Sequence, residues 1–304
     1  MAFLLERFRD SKHGGFFWKT DPSGRMRDDR KILYGQAFAL YALVEYFRAT
    51  GDREALDEAR LIFELLLERA HDDANGGWVE HFRRSWRPIR RPRRHVEVEV
   101  GGLKSANTHL HVMEALSELY VETGDQAVGA SLAETVDVCT AHFYPEDPSA
   151  SSQHRAPDWG RAGLLGVSHG HNVEFAWLLL GAEKALGRKP SWSRFDGYLG
   201  HALAAPPTDR VWWVEAETLA ALTIAVSSGS RPGYVEALES LLEFLLTYQI
   251  DPADGIWLHT VGANGSPVNP AKVGTWKDAY HELRASVLLA EAFGCGRLPP
   301  PKQP

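Results

Sequence analysis

The sequence predicts an all-α protein, an α/α toroid in which helical hairpins stack side by side with short β-hairpins between the pairs. Three observations lead there. Apolar residues recur at steps of three and four over residues 32–49, 53–70, 104–123, 126–143, 168–187, 210–227, 232–249 and 274–293, which is the helical period. The stretches DSKHGGFFWKTDPSGR (10–25), DDANGGWVEHFRRSW (72–86) and DPADGIWLHTVGANGSPV (251–268) share one form: an aspartate, one or two glycines, an aromatic strand-like run and often a second turn. Each reads as a β-hairpin with glycine at the turns, and each is followed by a lysine (Lys31, Lys104, Lys272) and a helix. Finally, the two helices of a pair differ. KSANTHLHVMEAL sets polar and aromatic residues among small ones, whereas EALDEARLIFELLLERA is an ordinary amphipathic surface helix. The difference separates inner from outer helices; an open solenoid is the alternative stacking of the same hairpins.

Composition sets the class. With 304 residues, 44% hydrophobic and 24% charged, the chain is long enough for one sizeable core, and we expect a single domain over 1–304 with a tail at 294–304. A formal charge of −7 argues against a nucleic-acid partner and for a small neutral one. The basic run RRSWRPIRRPRRH (83–95), followed by EVEV, reads as a solvated loop. No run approaches 18 apolar residues, so no membrane span is expected; two cysteines make no disulfide framework, and the charged opening MAFLLERFRD points to the cytoplasm.

Several helices aim polar groups one way. His171 and Glu174 are three apart and share a face, while His169 points elsewhere; Asn107, His111 and Glu114 share another, with His109 off it. Trp213 and Glu217 are four apart, as are Trp276 and Tyr280, and His281 precedes Arg284 by three. A lone histidine on an apolar helix is more often a hydrogen-bonded core residue, but three of them on corresponding helices of a repeat shift that balance. Trp212, Trp213 and Trp276 fill core volume or stack on a sugar face. His111, His171 and His281 could together hold a metal, yet HLH and HGH cannot chelate as pairs, because helical residues two apart diverge by about 200°. No nucleophile turn or phosphate loop is present, and no metal or cofactor is assigned. Histidines, carboxylates and aromatic platforms suit proton transfer at a carbon beside a carbonyl, with histidine as acid and base near neutral pH.

The strings YGQAFALYALVEYFRATGD, KSANTHLHVMEAL, SHGHNVEFAWLLLGAEKALG, VWWVEAETLAAL and TWKDAYHELRA resemble the N-acylglucosamine 2-epimerase superfamily, in its cellobiose and mannobiose 2-epimerase branch, from the first residues to about 293. The resemblance implies an (α/α)6 barrel and cofactor-independent epimerisation at C2 of a reducing-end aldose. By position, His171 and His281 match the paired acid/base histidines. His111 and Glu174 match residues assisting ring opening, and Tyr34, Asn107, Trp213 and Trp276 match sugar contacts. Glu217 and Arg284, on the faces of Trp213 and His281, join the substrate-binding set.

The sequence departs from the family pattern in two places. The family chain carries earlier helices, one bearing an arginine that contacts the sugar, while Met1 here falls near the end of the second outer helix; Gln36 lies on a different helix and does not replace that arginine. Five inner helices can be counted where six are needed, and the segment between 187 and 210 has room for a short outer helix at 192–204 but no hairpin after it. We therefore expect an incomplete barrel whose open side favours self-association, with a homodimer covering it. A sugar 2-epimerase is the leading expectation. An aldose–ketose isomerase is the nearest alternative and a non-catalytic sugar-binding remnant another; a glycoside hydrolase would need two opposed carboxylates and is disfavoured.

Overall fold

The computed structural model of the chain describes residues 1–90, 100–162, 166–205, 209–229 and 233–294. Nine helices occur among these: α1 (Leu33–Thr50), α2 (Arg53–Arg69), α3 (Ala106–Thr123), α4 (Gln126–Val138), α5 (His169–Ala185), α6 (Trp192–Leu203), α7 (Trp212–Ser227), α8 (Tyr234–Phe244) and α9 (Tyr280–Ala292). Their ends have local causes. The side chains of Asp52, Ser105 and Asp125 accept first-turn N–H groups of α2, α3 and α4, while Gly51 and Gly124 end α1 and α3 at φ of 74° and 61°. Past their regular ends α4 and α8 continue through π turns, Cys139–Phe143 and Leu245–Gln249.

The difference between the helices of a pair appears as burial. Twelve of the eighteen residues of α3 are buried, whereas α2 buries one stripe that includes Ala55, Leu56, Ala59, Ile62, Phe63 and Leu66. The chain divides into two compact units, Met1–Val167 with Leu178–Ser191 and Ser168–Trp177 with Trp192–Pro304. In the first, α1 packs against both α2 and α3, and α3 against α4; in the second, α7 packs against both α8 and α9. No helix among the described residues is long and apolar enough to cross a membrane.

Each of the three linkers contains two turns rather than one hairpin. The first turn opens at the aspartate: Gly14, Gly76 and Gly255 donate to the carbonyls of Asp10, Asp72 and Asp251 at 2.7–2.8 Å. The second is a hairpin or bridge whose third turn residue has positive φ, at Gly24 (81°), Trp86 (62°) and Gly265 (82°). A fourth such turn closes at Trp159 (67°) within 155–161, where the sequence pattern had not marked a hairpin. Tryptophan takes a strained conformation at these two sites because its indole reaches back to the preceding linker: Trp86 Nε1–H donates to the His13 carbonyl at 2.9 Å and Trp159 Nε1–H to that of Asn75 at 2.7 Å. Both indoles lie where a Cβ on Gly15 or Gly77 would stand 2.8 Å from them.

Short strands tie successive linkers together. β1 (Lys19–Thr20) and β2 (Met26–Asp28) form a hairpin, while β3 (Lys31–Ile32) leads into α1 and pairs antiparallel with β4 (His81–Phe82). β5 (Lys104–Ser105) leads into α3 and pairs with β6 (His154–Arg155). In the second unit β7 (Arg210–Val211) leads into α7 and pairs with β8 (Thr260–Val261), which pairs with β9 (Pro267–Asn269). The lysine after each linker answers the linker's own aspartate: Lys31 to Asp10 at 3.1 Å, Lys104 to Asp72 at 2.8 Å and Lys272 to Asp251 at 2.7 Å.

One helix boundary is corrected. The period predicts helix from 274, but α9 starts at Tyr280, because the Asp278 carboxylate accepts the Tyr280 N–H at 3.0 Å and Lys277 is buried against Glu282 at 2.8 Å. Trp276 therefore lies in the preceding turn, 47% exposed, rather than one helical turn before Tyr280.

The buried Asp10–Lys31 pair, both side chains 0% exposed, gives a stability prediction. Burial opposes the Asp10 charge, but Arg84 and Lys31 hold the carboxyl well below its usual range. Its contribution is present above the unfolded carboxyl value and is lost as pH falls through the folded one. Asp10→Ala strands the Lys31 ammonium and should cost about 3–5 kcal/mol in urea denaturation at neutral pH, much of it restored by adding Lys31→Met. A loss below about 1 kcal/mol would mean the pair is solvated.

Candidate active site

The second unit brings one group of the expected residues together. Ser168 caps α5 by accepting the His171 N–H at 3.3 Å, fixing the first turn from which His171 projects. Helix α7 is anchored where the Trp212 N–H donates to the His259 carbonyl at 2.9 Å. The neighbouring tryptophans then diverge. Trp212 is buried against the His259 ring (4.3 Å between centroids) and under Lys277 (5.2 Å), a core role. Trp213 lies beside both histidines, its rings 5.0 Å from the His171 ring and 5.7 Å from that of His281.

Behind His281 lies a buried charge cluster. The Glu217 and Glu174 side chains are 1% exposed. Glu217 Oε1 is 2.6 Å from His281 Nδ1 and accepts Arg284 Nη2–H at 2.7 Å, while its Oε2 accepts the Trp177 indole N–H at 2.8 Å. The same Arg284 nitrogen donates to Glu174 at 3.2 Å, and Glu174 lies 4.0 Å from His281 Nδ1. Arg284 is held in turn by a hydrogen bond to the Tyr280 hydroxyl and by the faces of Trp177 (4.6 Å) and Tyr280 (4.2 Å). One guanidinium against two carboxylates leaves a deficit that a proton on His281 fills. Desolvation opposes that proton, yet Glu217 and then Glu174 raise His281 above the ordinary histidine value. Burial likewise opposes the Glu217 charge, but Arg284 and His281 hold its carboxyl low.

Glu174, Glu217 and His281 are also the described residues whose ligand atoms lie close enough, within 4.8 Å, to hold a metal. The Arg284 guanidinium already bonds both carboxylates there, so the cluster's cation is built into the chain. The trio His111, His171 and His281, to which no metal was assigned, is not among the groups of described residues whose ligand atoms lie that close together.

The first unit holds the other group. His111 on α3 meets the Tyr34 ring edge-on at 5.2 Å and the Phe38 ring at 4.6 Å, both from α1. Its Nδ1 faces Glu114 at 2.9 Å, with both side chains nearly buried. One turn earlier, Asn107 Oδ1 is buried with no hydrogen-bond partner among the described residues. His109 is structural. Its Nδ1 faces the Ser105 carbonyl at 2.8 Å, which only accepts, so Nδ1 carries the proton and Nε2 accepts the Trp78 N–H at 3.1 Å. Gln36 does the corresponding work in α1, bonding both backbone groups of Phe16 at 2.8 Å.

Sequence reasoning missed Phe38, one turn after Tyr34, and Trp177, three residues after Glu174. Extending the three-and-four spacing one step along each face would have found them.

The family model described as N-acylglucosamine 2-epimerase (GlcNAc 2-epimerase) matches residues 1–195 and 197–285. A cellobiose 2-epimerase of Dictyoglomus turgidum is 29% identical over 93% of this chain and 77% of its own, and a D-mannose isomerase of Thermobifida fusca is 28% identical over 94% and 75%. The solved cellobiose 2-epimerase of Spirochaeta thermophila superposes with a TM-score of 0.87 at 32% identity, covering 97% of this chain and 78% of that one. The chain belongs to the N-acylglucosamine 2-epimerase family, in its cellobiose epimerase branch, and its fold class is the all-α (α/α)6 type of these enzymes. It is a carbohydrate epimerase or isomerase.

The cluster predicts the titration of His281. Its raised value means that the associated stability is complete below the unfolded histidine value and disappears as pH rises through the folded one. In Glu217→Gln the His281 ring, followed by NMR, should titrate lower than in the parent protein. An unchanged midpoint would remove Glu217 as the source of the shift.

Proposed function

We propose that the chain interconverts glucose- and mannose-configured reducing ends, on cellobiose and mannobiose or on the free aldoses, by moving the C2 proton through an enediolate. The arrangement that supports this best is His171 and His281 both set beside the Trp213 indole, with His281 backed by buried Glu217. In the opened sugar one neutral imidazole takes the C2 proton and the C2–H electrons move into the C1 carbonyl, giving an enediolate. After rotation about C2–C3, the other histidine, entering as imidazolium, returns a proton to the opposite face of C2. No electrons leave the sugar, so no redox cofactor is required.

His281 is suited to enter charged, since its two carboxylate neighbours favour the imidazolium. Glu217 has both oxygens engaged by His281, Arg284 and Trp177, which supports a role in orienting His281 beside the sugar-contact role its spacing implied. Glu174 and Arg284 complete that support, and the Trp213 indole offers a sugar face its platform. Tyr34, Asn107 and His111 keep the roles the family resemblance gives them, in sugar contact and ring opening; the unpaired Asn107 oxygen and the His111–Glu114 pair suit those roles. Trp276, exposed in its turn, is accessible to a sugar from outside α9.

Likeness to a D-mannose isomerase supports a second reading, in which the enediolate is reprotonated at C1 and a ketose forms. The expected self-association has support in α9, where Leu283 is 60% and Val287 46% exposed. A sedimentation-velocity profile at single-protomer mass would remove it.

Incubation with cellobiose and with mannose in D₂O, read by NMR, tests the reaction. Deuterium at C2 with the epimeric aldose is expected, and His171→Ala and His281→Ala should each lower the rate about 10²–10⁴-fold. Ketose as the main product would give the isomerase reading, and a folded chain that exchanges no C2 proton would defeat both.

A further inference from the structure

Gly170 occupies the second position of α5, between His169 and His171, and is buried. Its backbone is helical and needs no left-handed freedom, so glycine there costs the helix about 1 kcal/mol relative to alanine. Space supplies the reason for it. A Cβ at Gly170 would stand 2.3 Å and 2.5 Å from Cη2 and Cζ3 of Trp213 and 2.9 Å from Cγ2 of Val214. Nothing lies within 4 Å of a Cβ at Gly181, farther along the same helix. The six-membered edge of the Trp213 indole thus rests directly on the α5 backbone, one residue before His171, while the same ring faces His171 and His281.

We propose that Gly170 is a positioning residue for proton transfer. Its bare backbone seats the Trp213 indole, and the seated indole sets where the His171 and His281 rings stand beside it. The proposal rests on the reading of these histidines as the acid/base pair. Carbon atoms pack at about 3.5–4.0 Å, so a methyl group at position 170 pushes the indole outward by about 1 Å or more. Both histidine rings lie close to it, at 5.0 and 5.7 Å, so a displacement of that size changes its position relative to at least one of them. Displacement of that size at a reacting centre is worth about 10²-fold in rate.

The test compares Gly170→Ala with Gly181→Ala in protein labelled with 5-fluorotryptophan. The Trp213 ¹⁹F signal is identified as the one lost in Trp213→Phe. Gly181→Ala should melt at or above the parent temperature, since it gains an alanine within a helix; Gly170→Ala gains the same alanine but overpacks the indole, so it should stay folded and melt somewhat lower. In Gly170→Ala the Trp213 signal and the His171 and His281 ring-proton signals should shift, and kcat should fall about 10²-fold with a smaller change in KM; in Gly181→Ala all should stay at parent values. Unmoved Trp213 and histidine signals in Gly170→Ala would overturn the seat. Moved signals with kcat within about threefold of the parent would overturn its positioning role, given the size expected of such a displacement. A parent protein that turns over no sugar would count against the proposed reaction alone; the Trp213, His171 and His281 signals would then decide the seat, movement supporting it and immobility rejecting it.

Discussion

Two carboxylates buried to 1% exposure within one cluster cannot both remain charged without a fixed counter-ion, and the candidate site of the second unit is arranged around that constraint. Arg284 supplies the counter-ion from α9 to Glu174 on α5 and Glu217 on α7, so three helices are joined by a single guanidinium. The remaining charge falls on His281. Its protonation preference is therefore a property of the whole cluster, and Trp177 and Tyr280, which pack on the guanidinium faces, belong to the same device. An imidazole held in this way has its Nδ1 committed to Glu217, which leaves Nε2 as the nitrogen available for chemistry.

The linkers of the first unit solve a different problem, the entry of each inner helix at a defined angle. A two-residue strand precedes α1 and α3 and is paired to the following linker, and a polar side chain one turn into the helix, Gln36 or His109, bonds the backbone of the linker before it. The Tyr34 and Asn107 side chains depart from the first turns of these pinned helices, so their placement follows from linker geometry as much as from helix packing.

Much of this was legible in the sequence, for identifiable reasons. Burial imposes its period on helices, so eight of the periodic segments and the short helix at 192–204 found their places. The four-residue spacing of Trp213 and Glu217 placed them on one face of α7, and Glu217 holds the histidine beside which Trp213 stands. What escaped has physical causes too. Periodicity continues through 274–279, where Asp278 and buried Lys277 stop the helix by side-chain bonds that no hydropathy pattern registers. The turn at Trp159 was invisible because positive φ is ordinarily a glycine signature, and here a long-range indole hydrogen bond sustains it. Glu217 read as a sugar contact from its face alone; only the approach of α9 shows both its oxygens occupied.

The backward reach of Trp86 and Trp159 gives the first unit a direction. The second linker's tryptophan closes over the glycine turn of the first, and the tryptophan at 159 closes over that of the second, so each linker is roofed by its successor. Opening the segment around Trp159 uncovers Gly77 and releases the Asn75 carbonyl, which loosens the support of Trp86 in turn. Unravelling of this layer would run toward the N-terminus like slates lifting from a roof, starting at the course laid last.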